Sequence, residues 1–543
     1  MVLEILYRNL PPLLVFLTLA GTSWLWGGMR ADPLIDHLPW LLALTLEALL
    51  FLAQRRPYED MLQARERLWR KLAHDPLLYV VLGFLLLLVI PLFNRGLCPN
   101  CDAQAIASGA DPKATVPFLP FCVDVADQVH VLTWFVPAFL AMLAARHALV
   151  REGKRVLFEM IVWNGAALAV FGFIEQATGA DFVFWTKLKR PVYFFSTFGY
   201  PNSAGAFFTM IFAFSIGLWR YHAKETELVA MANAGRRTVG QSTYWLRAHY
   251  PLIAAVLSLF AVLYTRSRAA VLLTGVLAAC AGVYVVLETL GRHAAYARRL
   301  RTIIFSAVGM IVVGVLVFVF APKEISAEMK TADLAAIADR VTGKTEWHVT
   351  ASWEIFKEHP FFGVGGWGYR HFSLPYAPQS ARRSFGRGAQ GSANVHNDYL
   401  QFLCEQGSVG VSLLVAMVVI LMWPVCTVWG RLYMTSRFVR SNLAPPKPKA
   451  IFALPAAAFW IYAGNVCLLV HAFGDCPMRG AAVLSLFFVS LALAEGFVPR
   501  MEELEQTSNG DKIPIPDDVL EFQRKHPEGL RHHHRHHHHS SEE

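Results

Sequence analysis

His396 stands in a polar motif beside a long apolar run, where a neutral imidazole has the chemistry of a general base. The surrounding sequence reads VHNDYL and continues through EQG to Gly407. We predict a short helix that is capped by Asn394, ends at Gly407 and carries His396 in its first turn. The helix dipole disfavours imidazolium there, so the ring would be neutral and able to accept a proton. A histidine satisfied by a nearby carbonyl group is the alternative interpretation.

Arginines in two short segments between apolar runs suggest a binding site for an anion. Arg190 lies in KLKRP, ahead of STFGYPN, and Arg266 and Arg268 lie in the turn TRSR. The distribution of basic residues along the chain predicts a membrane topology. In this topology both segments lie on the non-cytoplasmic side of the membrane, where arginine is disfavoured. Guanidinium groups bind phosphate oxygens through paired donors. Snorkelling of these side chains to lipid head groups is the competing interpretation.

Two other polar motifs have simpler interpretations. The turn HAFGDCPMR separates the last two apolar runs, and we expect its Asp475 and Arg479 to form an ion pair. The sequence GVGGWG at 363–368 matches a dinucleotide-binding pattern. That function needs a βαβ unit, so we interpret this segment as a turn that packs Trp367.

We expect no metal ion and no cofactor. His396, Asp398 and Glu405 are too far apart on a helix to bind one ion together, since Asp398 faces away from His396. The predicted outer segments also contain no DxD pair that could bind a metal ion.

The apolar runs that must position these residues indicate a polytopic membrane protein. Of 543 residues, 55% are hydrophobic and 16% are charged. A soluble domain carries about 25% charged residues and could not bury so much apolar surface. We predict an all-α fold with about twelve transmembrane helices. They lie at 10–28, 35–54, 76–93, 129–146, 156–178, 203–219, 249–265, 270–290, 302–320, 408–428, 451–471 and 478–497.

The positions of the basic residues behind the net charge of +9 predict how these helices are oriented in the membrane. Basic residues concentrate in the connectors 55–75, 146–155, 220–248, 291–301 and 429–450, which therefore face the cytoplasm together with both termini. This distribution explains the charge without a nucleic-acid partner. The connector at about 321–407 would then be one large helical periplasmic loop. Residues 498–543 are predicted to be a flexible cytoplasmic tail, and we exclude its His-rich end from the functional argument.

Cysteines fall into an outer group and a membrane group. Cys98, Cys101 and Cys122 lie in the outer connector 94–128, where we expect a disulfide such as Cys98 or Cys101 with Cys122. Spacing alone does not determine the pairing. The cysteines within spans are expected to be inert core residues, namely Cys280, Cys426 and Cys467.

Taken in order, these motifs resemble the O-antigen ligase and polymerase superfamily. The matching segments are STFGYPN up to Asn202, SR at 267–268, HPFFGVG from His359, and HNDYL with EQG from His396. The resemblance covers about residues 155–495 of a predicted transmembrane glycosyltransferase domain at 1–497.

The resemblance implies a metal-independent glycosyltransferase of the GT-C type in a bacterial inner (cytoplasmic) membrane, with its active site facing the periplasm. Its donor would be a glycan on undecaprenyl diphosphate, and its acceptor a hydroxyl group of lipid A-core. His396 would activate that hydroxyl. Arg190 and Arg268 would hold the diphosphate, with Arg266 as a second contact. The supporting residues would be Tyr399, Glu405 and Asn202.

Other functions remain open at this point. An O-antigen or exopolysaccharide polymerase and a protein O-oligosaccharyltransferase would use the same motifs with other acceptors. A flippase or secondary transporter would show repeat-related halves and binding groups near mid-membrane. The main ionisable residues within spans are Glu47 and Glu175, whereas the notable groups cluster outside.

Overall fold

Helices make up the regular structure of this chain. The computed structural model describes residues 2–56, 59–96, 116, 118–187, 192–232, 248–290, 347–379, 394–438 and 454–498. Within these ranges, extended pairing is limited to isolated bridges, Arg95 with Cys122 and Phe195 with Phe198. The predicted all-α class is confirmed.

The described helices follow one another along the chain with short connectors between many of them. They are α1 Val2–Trp24, α2 Ala31–Leu50, α3 Met61–His74, α4 Pro76–Val89, α5 Val125–His147, α6 Arg151–Ala177, α7 Pro201–Ala232, α8 Pro251–Tyr264, α9 Arg268–Leu290, α10 Trp347–Glu358, α11 Tyr369–Phe372, α12 Asp398–Phe438, α13 Ala456–His471 and α14 Ala481–Ala494.

Length and apolar composition identify six described stretches that can cross a membrane. They are Pro76–Phe93, Val125–His147, Arg151–Ala177, Pro201–Thr226, Arg268–Leu287 and Asp398–Arg431. Helices α8 and α13 and the segment Ala481–Phe497 are shorter but also apolar. Every predicted run except 302–320, which lies outside the described residues, overlaps a described helix. The count of about twelve spans stays a prediction.

The structure describes only part of the predicted periplasmic loop and of the predicted tail. Of the loop, 347–379 and 394–407 are described, and they form α10, α11 and the start of α12. The chain divides into two units, Met1–Phe497 and Val498–Glu543. Residues 499–543 lie outside the described residues, so the flexible tail stays a prediction.

Close helix packing forms the centre of the bundle. α14 is buried along its whole length and packs on α5, while α7 packs on α8 and α13. Gly217 of α7 lies against Trp460 and Ala457 of α13, and Gly464 of α13 lies against Ala213 of α7. Small residues at such contacts let two backbones approach closely, as is common between membrane helices.

A partly buried ion network joins the helix ends at one side of the bundle. Glu495 accepts hydrogen bonds from Arg146 at 2.7 Å and from Lys154 at 2.9 Å. Arg146 also bonds Asp75 at 2.6 Å, immediately before α4. These contacts fix the ends of α4, α5, α6 and α14 relative to one another.

The predicted roles of the cysteines are confirmed only in part. Cys122 is a free, buried thiol that donates to the carbonyl oxygen of Pro91 at 3.0 Å. A disulfide at Cys122 is therefore wrong, while Cys98 and Cys101 lie outside the described residues. Cys467 is buried as expected, but Cys280 and Cys426 are exposed at the bundle surface.

Helix α12 changes direction at Gly407, whose φ of 65° and ψ of −176° are not helical. The bend receives the segment 359–368, because Gly365 N–H donates to the Glu405 carbonyl at 3.0 Å and Ser408 N–H donates to that of Pro360 at 2.8 Å. Gly407 thus ends the short first part of α12, as its position in the sequence predicts.

Gly407→Ala should lower the apparent melting temperature of the purified protein. The backbone conformation is open only to glycine and costs another residue about 1–3 kcal/mol. An added Cβ would also meet the carbonyl oxygen of Phe361 at 2.2 Å. The matched control is Gly430→Ala in the same helix, where nothing lies within 4 Å of the added Cβ. Equal melting temperatures for the two variants would contradict the assigned constraint.

Candidate functional site

His396 lies just before α12 rather than inside it. The helix begins at Asp398, and the Oδ1 atom of Asn397 caps it by accepting the N–H of Leu400 at 3.0 Å. The prediction that Asn394 caps a helix with His396 in its first turn is therefore wrong. His396 instead has a φ of 58°, in the left-handed region. A non-glycine residue rarely adopts this conformation, and such strain is concentrated at functional sites.

Asp475, in the turn between α13 and α14, is the partner of His396. The Nδ1 atom of His396 lies 3.3 Å from its Oδ1. Tyr200 and Asn202 also donate to this carboxylate, and the backbone N–H of Cys476 donates at 2.7 Å. Burial would raise the pKa of Asp475, but hydrogen bonds from His396 and Tyr200 outweigh it and hold the pKa below the ordinary carboxyl value. Asp475 is therefore ionised at neutral pH.

An ionised Asp475 determines how the imidazole can act. With the carboxylate at Nδ1, the proton of a neutral ring resides on Nδ1, and Nε2 is left as the acceptor. The carboxylate also stabilises the imidazolium that forms when Nε2 takes a proton. The His396 side chain is 47% exposed, whereas that of Asp475 is 14% exposed. The geometry therefore suits a general base that is open to a substrate.

Tyr200 and Asn202 are placed by the segment STFGYPN at the start of α7. Thr197 Oγ1 donates to the Ser23 carbonyl at 2.7 Å, and Ser196 Oγ donates to that of Leu168 at 2.8 Å. Burial, then the nearby Cys476 and Asp475, raise the pKa of Tyr200, so its phenol stays a donor. The motif thus delivers two donors to Asp475 from a separate helix.

Arg479 pairs with the start of α12, so the predicted Asp475–Arg479 ion pair is wrong. Its Nη1 bonds Glu405 Oε2 at 2.7 Å, and its Nε lies 3.7 Å from Asp398 Oδ1. The side chains of Arg479 and Glu405 are 4% and 0% exposed. Further bonds join the turn to α12: Met478 N–H donates to Asp398 Oδ2 at 2.9 Å, and Asp398 N–H donates to the carbonyls of Ala472 at 3.0 Å and Asp475 at 3.2 Å.

Two of the predicted anion-binding arginines, Arg266 and Arg268, flank a residue that packs against the start of α7. Arg268 is the first residue of α9, and the Arg266 guanidinium lies 4.0 Å from the centre of the Tyr193 ring. A Cβ added at Gly205, the fifth residue of α7, would meet Ser267 Cβ at 2.8 Å. The turn that carries both arginines is thus packed against the helix start that carries Asn202. Arg190 lies outside the described residues.

The remaining predicted site residues, Tyr399 and Glu405, make contacts that hold the elements around the site together. Tyr399 donates to the Leu469 carbonyl at 2.8 Å, and its ring lies 4.3 Å from that of Phe473. Glu405 is the buried partner of Arg479 and also accepts from Gln401 at 2.9 Å. Both positions connect α12 with α13 or with the turn that follows it.

Sequence reasoning missed the partner roles of Asp475 and Tyr200, and it missed His348 altogether. His348, in the first turn of α10, has its ring centre 6.0 Å from that of His396. Its Nδ1 lies 2.9 Å from the hydroxyl of Tyr369. Its position beside Trp347 at the start of a predicted helix was the available signal, but nothing in it pointed to His396.

The segment 363–368 is a packed turn, as predicted. The Trp367 ring lies 4.4 Å from that of His130 and 5.5 Å from that of Trp134. The N–H groups of Gly365 and Gly366 donate to the Glu405 carbonyl and to Gln128 Oε1. These donors are engaged within the protein rather than free for a phosphate.

Two groups of described side chains are close enough to hold a metal ion, His396 with Asp475 and Cys476, and Asp124 with Asp127 and His371. In the first, burial and then the charge of Asp475 raise the pKa of the Cys476 thiol well above its ordinary value. In the second, Asp127 already pairs with Arg370 at 2.8 Å and His371 at 2.9 Å. Protein contacts account for both groups, and a metal-free reaction stays a prediction.

Residues 253–437 match the family model described as O-antigen ligase. This match confirms the resemblance to the O-antigen ligase and polymerase superfamily. It includes Arg266, Arg268 and His396 but ends before Asp475. No curated protein sequence matches the chain. The match supports ligase-like or polymerase-like glycan transfer at a membrane in general.

Asp475→Asn should destabilise the protein at neutral pH, and the loss should shrink in acid. A carboxyl group whose folded pKa is depressed stabilises the fold above its unfolded pKa of about 4, and this contribution is lost as the pH falls through the folded pKa. The melting temperatures of wild type and variant should therefore differ from pH 5 to 8 and begin to converge only as the pH falls below about 4 and through the lower, folded pKa. A constant difference across this range would contradict an ionised Asp475.

Arg479→Met should strongly destabilise the protein, by about 3–5 kcal/mol, because it leaves buried Glu405 without its cation. Adding Glu405→Gln should restore part of this loss. Arg70→Met is the control, because its pair with Glu66 is exposed and such pairs contribute about 0–1 kcal/mol. Melting temperatures in one detergent measure all three. A fall in melting temperature no larger than that of the control would show that the Arg479–Glu405 ion pair contributes little to stability.

Proposed function

We propose that this chain transfers a glycan from undecaprenyl diphosphate to an acceptor hydroxyl group, with lipid A-core as the acceptor, at the periplasmic face of a bacterial inner membrane. The observation that carries the proposal is the His396–Asp475 pair, an exposed imidazole oriented by a shielded carboxylate. The family match over 253–437 supports the reaction class.

His396 acts as the base in this reaction. The acceptor hydroxyl group gives its proton to Nε2 while Asp475 holds Nδ1 and stabilises the imidazolium. The hydroxyl oxygen forms a bond to the anomeric carbon of the donor glycan, and the bond from that carbon to the diphosphate oxygen breaks. Attack from the side opposite the leaving group inverts the configuration at this carbon.

Arginines stabilise the leaving group. Negative charge grows on the diphosphate as its bond to the sugar breaks, and preorganised guanidinium groups lower the energy of that state. Arg268 and Arg190 hold the diphosphate, with Arg266 as a second contact. The packing of Ser267 against Gly205 supports this assignment, because it keeps the arginine turn beside the helix start that supplies Tyr200 and Asn202 to Asp475.

Polymerases and protein O-oligosaccharyltransferases would use the same base and the same diphosphate site. They differ in the acceptor, which is a second lipid-linked glycan or a protein hydroxyl group. Transfer assays with each acceptor supplied separately distinguish these functions from the ligase function.

His396→Ala should reduce glycan transfer by about 10²-fold or more, the usual contribution of a general base. Arg268→Ala and Arg190→Ala should abolish transfer, while all three variants still insert into the membrane. The measurement is transfer from a purified lipid-linked donor, and activity should persist in EDTA. The control is His74→Ala, an exposed histidine in α3. Full activity of His396→Ala would overturn the base assignment, and a strict metal requirement would overturn the metal-free reaction.

A further inference from the structure

Helix α3 presents three different faces, about a third of a turn apart at 3.6 residues per turn. Ala64, Leu68 and Leu72 are buried, and the first two pack with Ala53 and Ala148. A second face exposes Leu62 and Trp69, which are 67% and 47% accessible. The third face is polar and includes Gln63, Arg70 and His74. A surface helix in water is expected to have one apolar face, which packs on the protein, and one polar face, which contacts water. The second apolar face of α3, which is exposed, therefore requires another explanation.

The C-terminal end of α3 contacts the outer surface of α4. Tyr79 of α4 is 60% exposed, and its hydroxyl donates to the Ala73 carbonyl of α3 at 2.8 Å. From Tyr79 an exposed apolar stripe runs along α4 through Leu82 and Leu86. Since Pro76–Phe93 is apolar and long enough to cross a membrane, this stripe faces lipid. The helix that carries Leu62 and Trp69 therefore meets the end of a lipid-facing surface.

The charge of α3 is complementary to an acidic lipid surface. The helix contains four basic residues and one acidic residue, Glu66. Arg67 is engaged with Glu59 at 2.8 Å, and Arg70 with Glu66 at 2.6 Å. Arg65 is exposed beside the apolar face, and among the described residues it has no ion-pair partner. A guanidinium at the level of the head groups can bind a lipid phosphate through paired donors.

Helix α3 lies at the opposite end of α4 from the His396 site. α4 begins at Pro76, directly after α3, and the span Pro76–Phe93 leads to Asn94, whose carbonyl accepts the Cys122 N–H. Gly365 lies against Phe121 and Cys122 and is bonded to Glu405 near the site. At 1.5 Å per residue this span is about 27 Å long. The helix is thus at the other face of the membrane.

We propose that α3 is an interfacial helix that binds acidic phospholipids of the leaflet opposite the His396 site. Leu62 and Trp69 insert among the acyl chains, Arg65 binds a lipid phosphate, and Gln63 and Arg70 face water. The docking of α3 on α2 and α5 makes this lipid contact a part of the folded bundle rather than of a loose connector. Such helices gain binding free energy from buried apolar area and from attraction to anionic head groups.

The test uses the full chain in nanodiscs of phosphatidylcholine, with and without phosphatidylglycerol. Native mass spectrometry measures retained phosphatidylglycerol, and the melting temperature measures the effect on folding. Arg65→Gln should weaken retention about fivefold, the loss expected for one cation at an anionic surface. Arg70→Gln removes the same charge from the water-facing side and should leave retention near that of wild type. Inorganic phosphate should not raise the melting temperature.

A second matched pair tests the apolar face. Leu62→Glu should lower the melting temperature in the nanodiscs, whereas Gln63→Glu, one residue away and facing water, should not. Brominated acyl chains should quench wild-type fluorescence more than that of Trp69→Phe. Equal effects within each pair, or a wild type indifferent to phosphatidylglycerol, would overturn the proposal. None of these measurements depends on glycan transfer, so they are independent of the proposed activity.

Discussion

The buried ion pair between Arg479 and Glu405 is the contact on which the site geometry depends. It joins the turn after α13 to the start of α12 in a place where neither charge reaches water. In such surroundings an unpaired charge is far more costly than the pair, so the two elements cannot separate cheaply. Asp475 lies in that turn, and His396 lies two residues before that helix. The ion pair therefore helps to set the distance between them, together with the bond from Asp398 N–H to the Asp475 carbonyl at 3.2 Å.

Glu405 binds neighbouring elements through its backbone as well as through its side chain. Its carboxylate binds Arg479, and its carbonyl accepts the N–H of Gly365. The bend at Gly407 exposes this carbonyl to the incoming segment, because a continuous helix would have used it internally. One residue therefore fixes both the turn that carries Asp475 and the segment that follows α10. This explains how residues distant in sequence, including His348, come to lie around His396.

Periodicity and residue type predicted the helices and the motif around His396, because these properties are local. They did not predict the His396–Asp475 pair, since the two residues lie on different elements and Asp475 has a nearer candidate partner in Arg479. The burial of Arg479 determines its pairing. The aromatic rings of Phe402 and Trp134 cover Arg479, which therefore needs buried carboxylates and pairs with those of α12 rather than with Asp475. The helix cap shows the same limit. Asn394 and Asn397 are equally good caps by type, and the left-handed φ of His396 determines which one is used.

The two ends of the bundle use buried charge in different ways. At the α3 end, Glu495 binds both Arg146 and Lys154, and the carboxylate is shared between two cations that hold helices together. At the other end, Asp475 is shielded while His396 is about half exposed. If both were buried, no acceptor could reach the imidazole. If both were exposed, water and salt would screen the interaction that orients the ring. An exposed base on a shielded carboxylate meets both requirements, and this asymmetry separates the His396 pair from the structural ion pairs around it.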